Sequence, residues 1–168
     1  MTTKRSDAAN EAATQKITQL LYEAHALELA LVQTLTAHIA ITPAAAYRSG
    51  LEAHRDETGG HAERIQRHLV RRDSKRSFLQ VGYGLAQGVL GQAVALSKVP
   101  VDLVRGTSAE ELLLRNLRDE CASEAAEIAM YLTIEQYATE VGDSTTARLA
   151  ASIRADEERM LELIDKGA

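Results

Sequence analysis

An apolar seam interrupted by acids constrains this chain more than any other feature. Ile17, Leu21, Ala24, Glu28, Leu31 and Leu35 follow one another at intervals of four and three, the repeat of a helix that turns one face into a bundle. Glu28 occupies one of those inward positions. An ionised carboxylate there is costly unless a cation or hydrogen-bond donors meet it, so the fold has to bring one or the other to this residue.

The rest of the chain extends the same pattern. Helix one is expected over 7–41. Thr42 and Pro43 read as the N-cap and first-turn residue of helix two, over 43–72. Ser108-Ala-Glu-Glu111 has the form of a capping box and opens helix three, over 108–141, which Gly142 stops. Asp143 or Ser144 caps helix four, over 144–166, with Leu149, Ile153, Met160 and Ile164 on one stripe. Between the two hairpins lies a crossover over 73–107. Its stretch Phe78 to Ser97 is uncharged and carries Gly82, Gly84, Gly88 and Gly91, which reads as an extra helical segment able to approach another helix closely. The expectation is one all-α domain over 1–168, a ferritin-like up-down four-helix bundle of two hairpins joined by a long crossover. One Phe, no Trp and two Pro in 168 residues agree with helices rather than an aromatic-rich sandwich.

Charge and cysteine usage exclude several functions. A net charge of -5 with interspersed signs argues against nucleic acid as a partner, and the basic run Arg64 to Lys75 reads as a solvated helix end. Cys121 stands alone, so neither an intrachain disulfide nor a thiolate metal cage is available, and a reducing, cytoplasmic setting is expected. Met1 to Gln15 lacks the apolar stretch of a secretory signal. Gln80, Gln87, Gln92 and the four glycines weaken the uncharged stretch as a membrane span.

The acids themselves form a constellation. Ala26-Leu-Glu-Leu-Ala-Leu31 in helix one aligns with Ala125-Ala-Glu-Ile-Ala-Met130 in helix three, which sets Glu28 opposite Glu127. Asp56-Glu57 aligns likewise with Asp156-Glu157. Helix three places Glu120, Glu124 and Glu127 in one seam, and like charges so close must repel or share protons. Helix two adds Glu57 with His54 and His61 one turn to either side. A Glu from each of four helices with nearby His is the recipe for a dinuclear iron or manganese site. The candidate ligands are therefore Glu28, Glu57, His61, Glu124, Glu127, Glu157 and His54.

Each residue also has a plainer reading. Glu28 can pair with an Arg or Lys of another helix, and His54, His61 and His68, seven residues apart, can form a polar stripe. His25 and His38 read as packing or surface residues, Tyr131 as a packed aromatic in preference to a hydrogen-bond donor behind the ligands or a radical-trapping phenol, and Asp56 and Asp156 as solvated. Gly59-Gly60 reads as a local break, a close approach or drift on an exposed face, at roughly 1 kcal/mol per Gly relative to Ala. The rival function is a metal-free interaction bundle that binds a partner or its own copy through the Gly-rich crossover. A third reading is a bundle that binds an apolar ligand.

Four segments in order carry a family resemblance: Ala26-Leu-Glu-Leu-Ala-Leu, His54-Arg-Asp-Glu-Thr-Gly-Gly-His-Ala-Glu-Arg, Glu120-Cys-Ala-Ser-Glu-Ala-Ala-Glu-Ile-Ala and Ala155-Asp-Glu-Glu-Arg-Met. With them the chain resembles the ferritin-like YciE/YciF stress-protein family, in its actinobacterial-type members. The resemblance implies a rubrerythrin-like bundle, often a homodimer, with two non-haem iron ions between the helices and a role in stress responses. On that analogy Glu28, Glu57, Glu124, Glu127 and Glu157 take the ligand places, and a ferroxidase or peroxidase-type activity is the expectation. The chain departs from rubrerythrin where Met160 and Leu161 stand in place of a His after the helix-four Glu.

Overall fold

The computed structural model of the protein describes residues 2–42, 44–73 and 108–167. Its elements are α1 (Thr2–Ile41), α2 (Ala45–Asp73), α3 (Ala109–Glu140) and α4 (Ser144–Gly167), with no strand among the described residues. Pro43 and the crossover 74–107, with its expected Gly-rich helix, lie outside them.

Local chemistry sets the helix ends. Ser108 caps α3 with a complete capping box, its side chain accepting from the Glu111 amide while Glu111 accepts from the Ser108 amide. At the other end Gly142 takes φ 78°, and the amides of Asp143 and Gly142 donate to the carbonyls of Ala138 and Thr139. This is a Schellman stop, which favours glycine at the left-handed position. Asp143 then caps α4 by accepting from the Thr146 amide at 3.0 Å. Thr42 departs from expectation: its hydroxyl donates back to the His38 carbonyl at 2.7 Å, while its own carbonyl accepts from Arg48. Because α2 opens at Ala45, with the Arg48 amide donating to the Ala44 carbonyl, Thr42 does not stand at its N-cap position.

Pairings between helices give the directions. Along α1 and α3, Glu28 meets Tyr131 and His38 approaches Glu120, so these two helices run antiparallel. Along α2 and α4, Arg64 meets Asp156 and Arg72 meets Asp143, again antiparallel. With a tight turn inside each hairpin, α2 and α3 must run the same way.

The core divides into two apolar layers. A large one holds Ile17, Leu21, Ile65, Leu69, Ile134 and Ile153; a small one at the opposite end holds Leu31, Leu35 and Leu51. Each buried Leu or Ile contributes about 1.5–3 kcal/mol. Between the layers the seam turns polar. Part of α1, Asn10–Ile41, is long and apolar enough to cross a membrane, and here its seam packs into the bundle. Gly59 and Gly60 neither break α2 nor admit a neighbour, since a Cβ at either meets nothing within 4 Å.

Candidate metal centre

Each helix sends polar side chains into the layer between the apolar clusters. Glu28 from α1, His54 and His61 from α2, Glu124 and Glu127 from α3, and Glu157 from α4 are all at most 3% exposed. Helical spacing explains their convergence: Glu124, Glu127 and Tyr131 share one face of α3, and Ile153 and Glu157 share one face of α4.

The ligand atoms fall into two buried groups. Oxygens or ring nitrogens of Glu28, His61 and Glu157 lie within 4.8 Å of one another, as do oxygens of Glu124, Glu127 and Glu157. Glu157 belongs to both. His54 Nε2 stands 2.8 Å from Glu124 Oε1, and His61 Nδ1 stands 2.7 Å from Glu157 Oε1 and 3.9 Å from Glu28 Oε1. Each of these imidazoles thus meets a buried carboxylate at close range, off the line of a straight hydrogen bond. Two ligands about 2.1 Å from one ion and at right angles stand about 3 Å apart, close to these separations.

Protons bear the electrostatic load of the cluster. Burial first, then the charge of Glu157, push Glu28 up to about 8, against the opposing pull of its Tyr131 hydrogen bond and of His61. Burial likewise raises Glu124, and it raises Glu127 further, with Glu28, Glu157 and Glu124 adding repulsion. For His54 and His61 burial acts downward, but the adjacent carboxylates, Glu124 and Glu157 respectively, outweigh it and raise both imidazoles. Two ionised carboxylates within 4.8 Å repel by about 3.5 kcal/mol at an effective dielectric of about 20. Among the described residues no Arg or Lys forms an ion pair with Glu28, Glu124, Glu127 or Glu157.

Glu57 is placed differently from the other candidates. The buried seam of α2 runs Leu51, His54, Thr58, His61, Ile65 and His68, and Glu57 lies one residue, about 100°, off it. Its half-exposed carboxylate faces Arg159 at 3.7 Å instead. The alignment of Glu57 with Glu157 therefore does not survive in space. Although Glu57, His61 and Asp156 also come within 4.8 Å, Arg159 pairs with both acids and Arg64 with Asp156.

Several further residues border the cluster. Asp156 is not solvated: it stands 3.3 Å from His61 Nε2, on the side of the ring away from Glu157, and is tethered by Arg64 and Arg159. The arginines, with His61, hold it below the usual carboxylate range despite partial burial. Tyr131 is packed, and its phenol donates to Glu28 Oε1. His38 is buried 3.5 Å from Glu120, and His68 is buried against Thr146 at 2.8 Å. Glu120 was visible as a seam acid, one turn before Glu124. Nothing in the local sequence signalled Asp156, because its partners come from α2 and from the next turn of α4.

Comparisons with known proteins agree with this architecture. The fold is similar to the crystal structure of a protein from Xanthomonas campestris pv. campestris, with a TM-score of 0.67 and 17% identity over 92% of this chain and 89% of that one. At that identity the likeness speaks for the fold alone. No curated protein matches the chain. Residues 12–168 match the family described as domain of unknown function (DUF892). A match over nearly the whole length makes this chain a member of the DUF892 family, within the ferritin-like superfamily.

Proposed function

We propose that this chain is a non-haem dinuclear metal-carboxylate protein that holds two iron ions, with manganese as the alternative. The observation that supports the reading is Glu157, whose carboxylate belongs to both buried ligand groups and would serve both ions. Glu28 and His61 complete one side; Glu124, Glu127 and His54 complete the other. Four carboxylates balance two divalent charges, which removes the repulsion that otherwise forces protons onto the cluster. Carboxylate and imidazole donors suit iron and manganese.

The chain's own residues orient this set. Asp156 sits behind His61 Nε2 and fixes the ring so that Nδ1 faces the cluster, an arrangement that steadies a ligating histidine and raises its basicity. Tyr131 anchors one oxygen of Glu28 and leaves the other without a partner. The layer of Ile134, Ile153, Ile17 and Ile65 closes the centre to water from one end. Bound iron would supply one-electron chemistry toward oxygen or peroxide. The protein then acts as a ferroxidase or peroxidase-type oxidoreductase or sequesters iron, in a stress response of the YciE/YciF kind. A cytoplasmic homodimer or higher homo-oligomer, with neither nucleic acid nor membrane as partner, belongs to the same reading.

Elemental analysis of iron and manganese per chain tests it, on protein purified without chelator and again after anaerobic ferrous loading. About two ions per chain are expected, with loss in Glu28→Ala and Glu127→Ala. Absence of metal after loading would refute the reading and turn attention to the crossover as a docking element.

A further inference from the structure

The C-terminal half of α2 presents a basic face toward α4. Arg64, Arg67, His68 and Arg71 recur at steps of three and four, which puts them on one side of the helix. Two bridges hold this side to α4. Arg64 donates to Ser152 Oγ at 2.7 Å and to Asp156 Oδ2 at 2.9 Å. About two turns further along, Arg72 donates to Asp143 and, at 3.0 Å, to Thr146 Oγ1. Between the bridges the helices leave a cleft of about 230 Å³, lined by Arg64, Arg67, His68, Arg71, Thr145 and Leu149.

No acid is among these lining residues, and their charge is only partly met from outside. Arg64 keeps N–H donors beyond those given to Ser152 and Asp156. Arg67 pairs with Glu63 at 3.1 Å, but both side chains are more than half exposed. Such a pair is weak, because water screens it and two long side chains must be fixed to hold it. The His68 imidazole registers the surplus of positive charge. Burial first, then Arg72, with Arg71 adding to them, hold it below its ordinary range against the pull of Asp143. A helix C-terminus favours cations, but that accounts only for Arg71 and Arg72 in the last turn of α2; Arg64 and Arg67 stand before it.

We propose that this cleft is an anion site for a phosphate group, taken up by the guanidinium groups of Arg64, Arg67 and Arg71 and by the Thr145 hydroxyl. A guanidinium fork matches phosphate oxygens in pairs, and a dianion with several terminal oxygens engages more than one fork, whereas a carboxylate satisfies only one. A water in the liquid occupies about 30 Å³, so the cleft holds such a group with waters around it. Free phosphate and a small phosphomonoester present the same terminal oxygens, and either is the ligand. None of the lining residues is a proposed metal ligand, and Ile65, Leu69, Ala150 and Ile153 fill the interior beside them. The site is therefore independent of the metal-centre reading.

Phosphorus NMR titration of the full chain tests the site, with inorganic phosphate and glycerol phosphate as probes. Metal is first removed with chelator, so that no bound iron competes for phosphate. At about pH 8 both probes are largely dianionic. Arg67→Gln and Arg71→Gln should each weaken binding about tenfold, and acetate at the same concentration should not displace either probe. Glu63→Gln, which releases Arg67 from its acid, should tighten binding about twofold to threefold, a gain that poor folding does not produce. Binding of inorganic phosphate assigns the site to the free ion; binding of glycerol phosphate alone assigns it to an ester. Binding of neither probe, or affinities within about twofold of the parent in both glutamine variants of the arginines, would overturn the proposal. None of these results bears on iron, which the elemental analysis tests separately.

Discussion

The phenol of Tyr131 on α3 donates a hydrogen bond to Glu28 Oε1 on α1, tying the two hairpins together in the middle of the polar layer. Burial and the adjacent carboxylates raise the phenol well above its ordinary range, so it stays a donor. Tyr131→Phe removes that donor and leaves Glu28 with no hydrogen bond from a neighbour. At about pH 8.5, where Glu28 is largely ionised, the metal-free variant should lose about 1–3 kcal/mol in urea denaturation. Bound metal per chain should persist, since the phenol is not among the proposed ligands.

Protonation makes the metal-free fold pH-sensitive in one direction. Glu28, Glu124 and Glu127, with His54 and His61, all bind protons more tightly in the folded chain than their ordinary values allow. Groups raised in this way stabilise the fold fully below their unfolded pKa and withdraw that support as pH rises through the folded value. For Glu28 the window runs from the ordinary 4.5 to about 8. His25 and His68 are lowered, by burial first, and oppose the trend near their ordinary 6.5, but the raised groups outnumber them. The thermal midpoint of the metal-free protein should therefore fall between about pH 5 and pH 8.5, and loading with metal should flatten the slope. A metal-free midpoint that stays level or rises across that interval would contradict the assignment.

Glu127 shows the opposition between site and fold. Both of its oxygens are buried without partners, on the same helix face as the unpartnered oxygens of Glu124. Glu127 has no cationic partner and shares the layer with the like charges of Glu28, Glu157 and Glu124, so an apolar side chain of similar volume removes a buried unpartnered group that costs about 1–3 kcal/mol. Glu127→Leu should thus raise the denaturation midpoint of the metal-free chain at about pH 8 and abolish metal retention. A variant that loses stability in the metal-free state would show that Glu127 has a structural partner.

Glycines separate by sign. Gly142 sits at φ 78° with open space around it, so Gly142→Ala meets no clash and pays only the left-handed backbone penalty, about 1–2 kcal/mol. Gly60, inside α2 with equally open surroundings, should respond oppositely: Gly60→Ala gains about 0.5–1 kcal/mol from helix propensity. Paired urea titrations of the two variants check both signs at once.

Much of the architecture was legible in the sequence because helices are written in local periodicity. The interval of four and three around Glu28, the Ser108 capping box and the Gly142 stop depend on residues a turn or two apart, and the folded chain keeps them. Thr42 shows where local reading fails. The helix it was expected to open starts at Ala45 instead, and its hydroxyl donates back to the last turn of α1.

The amino-acid sequence by itself determined that four amphipathic helices would form and that buried acids would need a counter-charge. The tertiary structure decided which acids those are. Glu57 and His61 differ by one turn in sequence, but the angle at which α2 packs against α4 turns His61 toward Glu157 and leaves Glu57 to Arg159. Asp156 takes its place behind His61 through Arg64 on another helix and Arg159 on its own. A helical repeat fixes which residues share a face; only the packing of one helix against the next fixes where that face points, and a ligand set is made of such directions.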